Sequence, residues 1–359
     1  MTKDIEHRKR DHLILAQDRS LNFSISAGFD QWRFIHNALP EIDLQDVDTS
    51  TQFLGKRLSI PLLISSMSGG VKEGLALNAT LAEAAEATGC ALGLGSIRAA
   101  LEDDALGESF LIARERAPRS VILANIGIGQ ILKASSMDPI SRFCEALKAD
   151  GLIIHLNSLQ EAMQSEGDTR FRGALEAIRN WTHDFPLPLV VKEVGQGLSL
   201  RVIQQLEQVG VQYIDIAGAG GSNWINIESQ RLRPDEHILK EAAKSFKNWG
   251  EPTAEVLSQI KSNATIIASG GIQSAVDMAK ALGLGAALVG VAGPFLKLGL
   301  SGDSQQLIHE IEVWKKTLAL IMFGTGMVSV SDLIGNRAIL SPCSHRYGDH
   351  EYCRKETHE

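Results

Sequence analysis

Cysteine is scarce in this chain. The four thiols, Cys90, Cys144, Cys343 and Cys353, are too scattered across 359 residues for a disulfide framework, so reduced side chains are expected. Long apolar runs are missing too: the basic start MTKDIEHRKRDHLILA carries only LILA, too short for a signal core, and no stretch reaches membrane length. No membrane association is expected, and the cytoplasm is the default location. Positive charge is in deficit, 35 Lys and Arg against 43 Asp and Glu, which argues against nucleic acid or anionic lipid as a partner. Any phosphate site must therefore be local. The segment from Cys343 through His345 and His350 to Cys353 has metal-capable atoms, but its spacing matches no standard zinc pattern. No glycine-rich dinucleotide fingerprint follows the first strand-like run, since Ser68-Gly69-Gly70 does not supply one, and this disfavours an open doubly wound sheet. Linkers and internal repeats are also missing, which favours one domain.

What is present is alternation. Eight apolar runs recur at 60–66, 91–95, 121–126, 152–157, 188–194, 213–217, 265–269 and 286–291, with helical patterns between them. Residues 75–88 are rich in Ala, Leu and Glu. Asp138 with Pro139 reads as a helix start, Ser199 opens 200–209 before Gly210, and Ser274 with Asp277 resembles a capping box. Strands joined by helices run parallel, and continuous apolar runs suit strands buried on both faces. The pattern predicts an α/β fold, a single (β/α)8 TIM barrel over 59–335, with an N-terminal extension over 1–58 and a C-terminal tail over 336–359. The insertion 222–250 after the sixth strand reads as a lid.

Barrel chemistry sits at the carboxyl ends of the strands. GLIIHLNSLQEAMQSEGD, residues 151–168, places His155, Asn157, Gln160 and Glu161 at such an end. The loops at Gly270-Gly271 and Ala292-Gly293 close the seventh and eighth runs, where backbone N–H groups bind phosphate. Gly218 to Ser222 lies beside them. Lys192, on the fifth run, is an inward ammonium that needs an anion or a structural ion pair. Ser66, Met67, Ser68 and Asn125 offer polar groups to a planar heterocycle. Arg8, Lys9 and Arg98 suit a diphosphate, and Glu161 is either a Mg²⁺ ligand or a helix-start carboxylate.

With these residues assembled, the chain resembles the type 2 isopentenyl-diphosphate isomerases. RKRDHL, MSGG, GLGS with Arg98, Asn125, HLNSLQE with EGD, Lys192, GAGGS, ASGGI and GVAGPF occur in the family's order over nearly the whole chain. The resemblance implies FMN held by Ser66, Met67, Ser68, Ser96, Asn125, Lys192, Ser222, Gly270, Gly271, Ala292 and Gly293. It implies isopentenyl diphosphate bound by Arg8, Lys9, Ser96, Arg98 and Gln160, with Mg²⁺ on Glu161 and catalytic roles for His155, Asn157, Gln160 and Lys192. The implied reaction gives dimethylallyl diphosphate, with NADPH reducing the flavin and a homo-oligomer, tetramer or octamer, as the assembly. Ser68 and Ser222 stand where threonine is common, and Ile97 where glutamine is frequent, which costs a polar contact. Two other readings stay open: an FMN-dependent hydroxy-acid oxidoreductase, and a catalytically silent barrel that binds flavin or a prenyl diphosphate.

Overall fold

A computed structural model describes residues 2–67 and 69–343. Eight parallel strands, Leu62–Ile64, Ala91–Gly93, Ile122–Gly127, Gly151–His155, Leu189–Lys192, Tyr213–Asp215, Thr265–Ser269 and Leu288–Val291, close into a barrel in chain order. The last closes on the first through Val289 opposite Leu62. Six of the strands are shorter than their apolar runs, because the flanking residues continue buried after the ladder bonds end; Ile122–Gly127 and Thr265–Ser269 match theirs in length.

Period-2 alternation sorts the side chains. Leu62, Ile64, Leu152, Ile154 and Val191 face outward and join the large core under the helices. Leu63, Ala91, Leu123, Ile153, Val190, Ile267 and Leu288 point inward and pack on one another. Phe53 and Leu58 of the antiparallel hairpin Thr51–Phe53/Lys56–Leu58 join this inner cluster, and Phe53 meets Tyr213 edge to face. The hairpin therefore plugs one end of the barrel. Two residues beyond each inward apolar position comes the next inward one: Ser65, Gly93, Asn125, His155, Lys192, Asp215, Ser269 and Gly290. This ring is polar or small, and it floors the opposite, functional end.

The extension is structured. Helix Thr2–Leu15 reaches the barrel mouth, and Trp32–Phe34 pairs antiparallel with Leu340–Pro342, so the extension and the last described residues share a two-stranded sheet. Ser199 and Ser274 cap their helices as expected, accepting from the N–H groups of Val202 and Asp277. Asp138 does not cap: it is the first residue of helix Asp138–Leu147, and the Ser136 hydroxyl takes its N–H. Among the described residues no helix is long and apolar enough to cross a membrane. Ser68, His345, His350 and Cys353 lie outside the described residues.

Candidate active site

The strand ends open into two cavities that share the walls His12, Ser66, Met67, Lys192, Val194 and Trp224. The first, about 220 Å³, is lined by Ser222, Gly270, Gly271, Ala292 and Gly293. Its loops need glycine: Gly270 has φ +93°, and a Cβ there would collide with the Gly218 backbone. Helix Gly293–Leu300 begins at the same cavity, and the first N–H groups of a helix have no acceptor inside it. That end is built for an anion.

The second cavity, about 170 Å³, gathers Arg8, Lys9, Ser96, Arg98, Asn125, His155, Asn157, Gln160 and Glu161. Its cations come from two distant parts of the chain. Lys9 Nζ donates to the carbonyls of Gly69 and Ser96 and lies 5.4 Å from the centre of the Phe110 ring. Burial, then the charges of Arg8 and Arg98, push its pKa down to about 7. Arg98 donates to Glu102 at 2.8 Å, and Arg8 to Gln164 at 3.1 Å. Ile97 is fully buried in the core and lines neither cavity.

On the fourth strand, His155 Nδ1 lies 2.7 Å from Asn125 Oδ1. Burial and then the Lys192 charge hold this imidazole down to about 3, so it is neutral at physiological pH. An amide oxygen can only accept, which makes Nδ1 the protonated nitrogen. Asn157 Nδ2 donates to Glu161 Oε1 at 2.9 Å, and the Asp168 N–H donates to Oε2 at 2.7 Å, so Glu161 is fixed through both oxygens. Among the described residues no cluster of three or more His, Cys, Asp or Glu side chains could hold a metal. A metal on Glu161 would have to take its remaining ligands from substrate oxygens and water.

The sequence reading missed the group that organises this cavity. Glu228, 1% exposed, accepts from Gln160 at 2.8 Å and Gln164 at 2.6 Å through Oε1, with His12 Nε2 2.8 Å from the same oxygen and Arg231 donating to Oε2 at 2.7 Å. Burial alone would raise its pKa; the close His12 imidazole, Arg231 and Gln160 overcome that and hold it down to about 2. Helix Trp224–Arg231 carries it. The segment expected as a lid is, at this end, a fixed wall: Asn223 is wholly buried, caps the helix through Ile225 and Asn226, and donates to the Lys247 carbonyl at 2.9 Å. Glu228 lay inside the mixed-charge segment read as a lid, where nothing local marks one carboxylate as buried.

The geometry defines a class: a (β/α)8 barrel with a glycine-lined cavity at its last strands and a second, cation-rimmed chamber beside it. A family model for FMN-dependent dehydrogenase matches residues 12–107 and 130–341. Solved structures show the same fold: a flavocytochrome b2 variant with sulfite bound (TM-score 0.66, 18% identity, 97% of this chain and 88% of that chain) and a chimeric (S)-mandelate dehydrogenase variant (TM-score 0.63, 19% identity, 93% and 99%). Closer in sequence are isopentenyl-diphosphate delta-isomerases from Pseudescherichia vulneris (45% identity, 91% of this chain and 94% of the relative) and Chlorobium phaeovibrioides (41%, 94% and 98%). The chain belongs to the type 2, FMN-dependent isopentenyl-diphosphate isomerase family. The cavities fit that cofactor: the Ser65 and Ser66 hydroxyls are buried beside them without a hydrogen-bond partner among the described residues, and the glycine loops leave room for a phosphate.

Proposed function

We propose that this protein isomerises isopentenyl diphosphate to dimethylallyl diphosphate, an intramolecular double-bond shift of isoprenoid biosynthesis. The observation that carries the reading is the pair of joined cavities: an anion cradle at one end, cations at the other, and Lys192, Ser66 and Met67 on the wall between. Reduced FMN, when bound, supplies the acid and base that protonate the alkene and remove a proton elsewhere, with no net redox change.

The chain's own residues do the rest. Gly270, Gly271, Ala292, Gly293 and Ser222 would hold the ribityl phosphate. Ser66, Met67, Ser96, Asn125 and Lys192 would meet the ring, with Ser68 as a further expected contact. Lys192 would place positive charge at the ring edge where the reduced flavin is most negative. Arg8, Lys9, Ser96 and Arg98 would seat the diphosphate by charge-assisted bonds. Glu161 would hold Mg²⁺ against the same group. His155, neutral and oriented by Asn125, would line the reacting chamber with Asn157. Gln160 would position substrate, its amide fixed by Glu228. NADPH would be the reductant.

Anaerobic incubation of isopentenyl diphosphate with FMN, NADPH, Mg²⁺ and enzyme should give dimethylallyl diphosphate, and each omission should abolish or slow it. Turnover of a 2-hydroxy acid without isomerisation would overturn the reading in favour of an oxidoreductase. Flavin binding with no product would favour a silent barrel. A Glu161→Gln variant should need at least about tenfold more Mg²⁺; an unchanged Mg²⁺ titration would remove Glu161 as a ligand.

A further inference from the structure

The ring that floors the cavities contains one side chain built to be a cation and one built to be an anion. They are neighbours: the parallel ladder sets Lys192 of the fifth strand beside Asp215 of the sixth. Nζ lies 3.9 Å from Oδ2, with Lys192 8% and Asp215 1% exposed. The other ring members are Ser65, Gly93, Asn125, Ser269, Gly290 and the neutral His155.

Asp215 is clamped through its other oxygen. Ser269 Oγ donates to Oδ1 at 2.6 Å and the Ala217 N–H donates to it at 3.2 Å, while Oδ2 has no hydrogen-bond partner among the described residues. The carboxylate is thus held with its free oxygen toward the ammonium. Lys192 Nζ also donates to the Glu193 carbonyl, but the Glu193 carboxylate faces elsewhere, accepting the N–H groups of Val194, Gly195 and Gln196. At 3.9 Å the pair attracts without using up the donors of Nζ, which stay available to the cavity. A buried amine without a counter-ion favours its neutral form, and a buried pair that loses one member leaves the other uncompensated.

We propose that Asp215 is the positioning residue for Lys192: it keeps the amine as an ammonium and aims it into the flavin cavity before any cofactor arrives. The cofactor side of this assignment rests on the reading that FMN sits against Lys192.

The first test needs no flavin. Lys192 acetylation by limiting acetic anhydride, followed by mass spectrometry across pH, reports the neutral amine. Asp215→Asn, which keeps the shape and an acceptor for Ser269, should shift the labelling midpoint down by at least one pH unit, or about tenfold faster labelling near neutrality. An unchanged profile overturns the proposal. The second test uses the flavin-loaded protein. Asp215→Asn should move the midpoint potential of bound FMN in the same direction as Lys192→Met, and the double variant should move it no further than Lys192→Met alone; additive shifts overturn the proposal. If Lys192→Met leaves the potential unmoved, the placement of FMN is what fails, and the labelling still decides the role of Asp215. Should Asp215→Asn not fold, Ser269→Ala decides: freeing the carboxylate should shift labelling in the same direction by a smaller amount, and a wild-type profile overturns the proposal.

Discussion

Gly270 and Gly293 line one cavity yet answer to different constraints. A Cβ at Gly270 has no space and a backbone φ that strains any L side chain, whereas at Gly293 it would meet nothing within 4 Å. Gly293→Ala should therefore fold with an unchanged melting temperature while its FMN affinity drops by about tenfold or more, near 1.4 kcal/mol. Equal FMN affinity by fluorescence titration would remove that N-terminus from the cofactor site. The same scale explains why Asp215 was overlooked and Lys192 was not. A lysine inside PLVVKEVG breaks an apolar run; the aspartate of YIDIAG looks like the end of a short strand. Its importance comes from a neighbouring strand that local sequence does not name.

At the scale of elements, the N-terminal helix and the segment after the sixth strand are one device. Glu228 ties His12 of the first helix, Gln160 and Gln164 of the fourth loop, and Arg231 to a single carboxylate, while Trp224 packs edge to face on His12 at 5.1 Å. Arg231 reaches Asp11 as well, at 3.4 Å. Removing the hub leaves buried donors unpaired. Glu228→Ala should lower stability by about 3–5 kcal/mol in chemical denaturation and speed hydrogen exchange over residues 7–15. Wild-type exchange there would show that the helix docks by apolar contact alone. The length and mixed charge that suggested a lid are real, but at Asn223 and Glu228 burial fixes the segment.

For the whole molecule, groups that burial moves toward neutrality carry the pH response: Lys9 of the cation cluster, lowered to about 7, and Glu193, raised to about 7. His155 titrates near 3 and contributes no step at neutral pH. Lys9 titrates near 7 in the ligand-free protein, and a diphosphate favours its ammonium, so substrate affinity should be full at lower pH and decline as pH rises through 7. KM for isopentenyl diphosphate should climb by up to about tenfold per pH unit above that point. Lys9→Arg should flatten the climb, since a guanidinium stays charged; a wild-type KM without this rise would reject the coupling. Assembly belongs to this scale too. Val313 and Leu320 stand exposed seven residues apart on helix Ser304–Thr325, and a homo-oligomer of four or eight chains is expected. Light scattering should give a mass several times 38.9 kDa, and a monomer mass would refute it.

Sequence alone determined the barrel, because continuous apolar runs and the helical patterns between them are local properties, legible segment by segment. It also marked the glycine loops and the family's ordered polar residues, since a glycine that needs positive φ or a lysine amid valines is conspicuous where it stands. Tertiary structure decided the partnerships. Asp215 meets Lys192 through strand register, Glu228 meets His12 across 215 intervening positions, and Ile97 turns into the core instead of the chamber. Charge and hydrogen-bond satisfaction are fixed by what lies across space, and chain closure alone brings those atoms together.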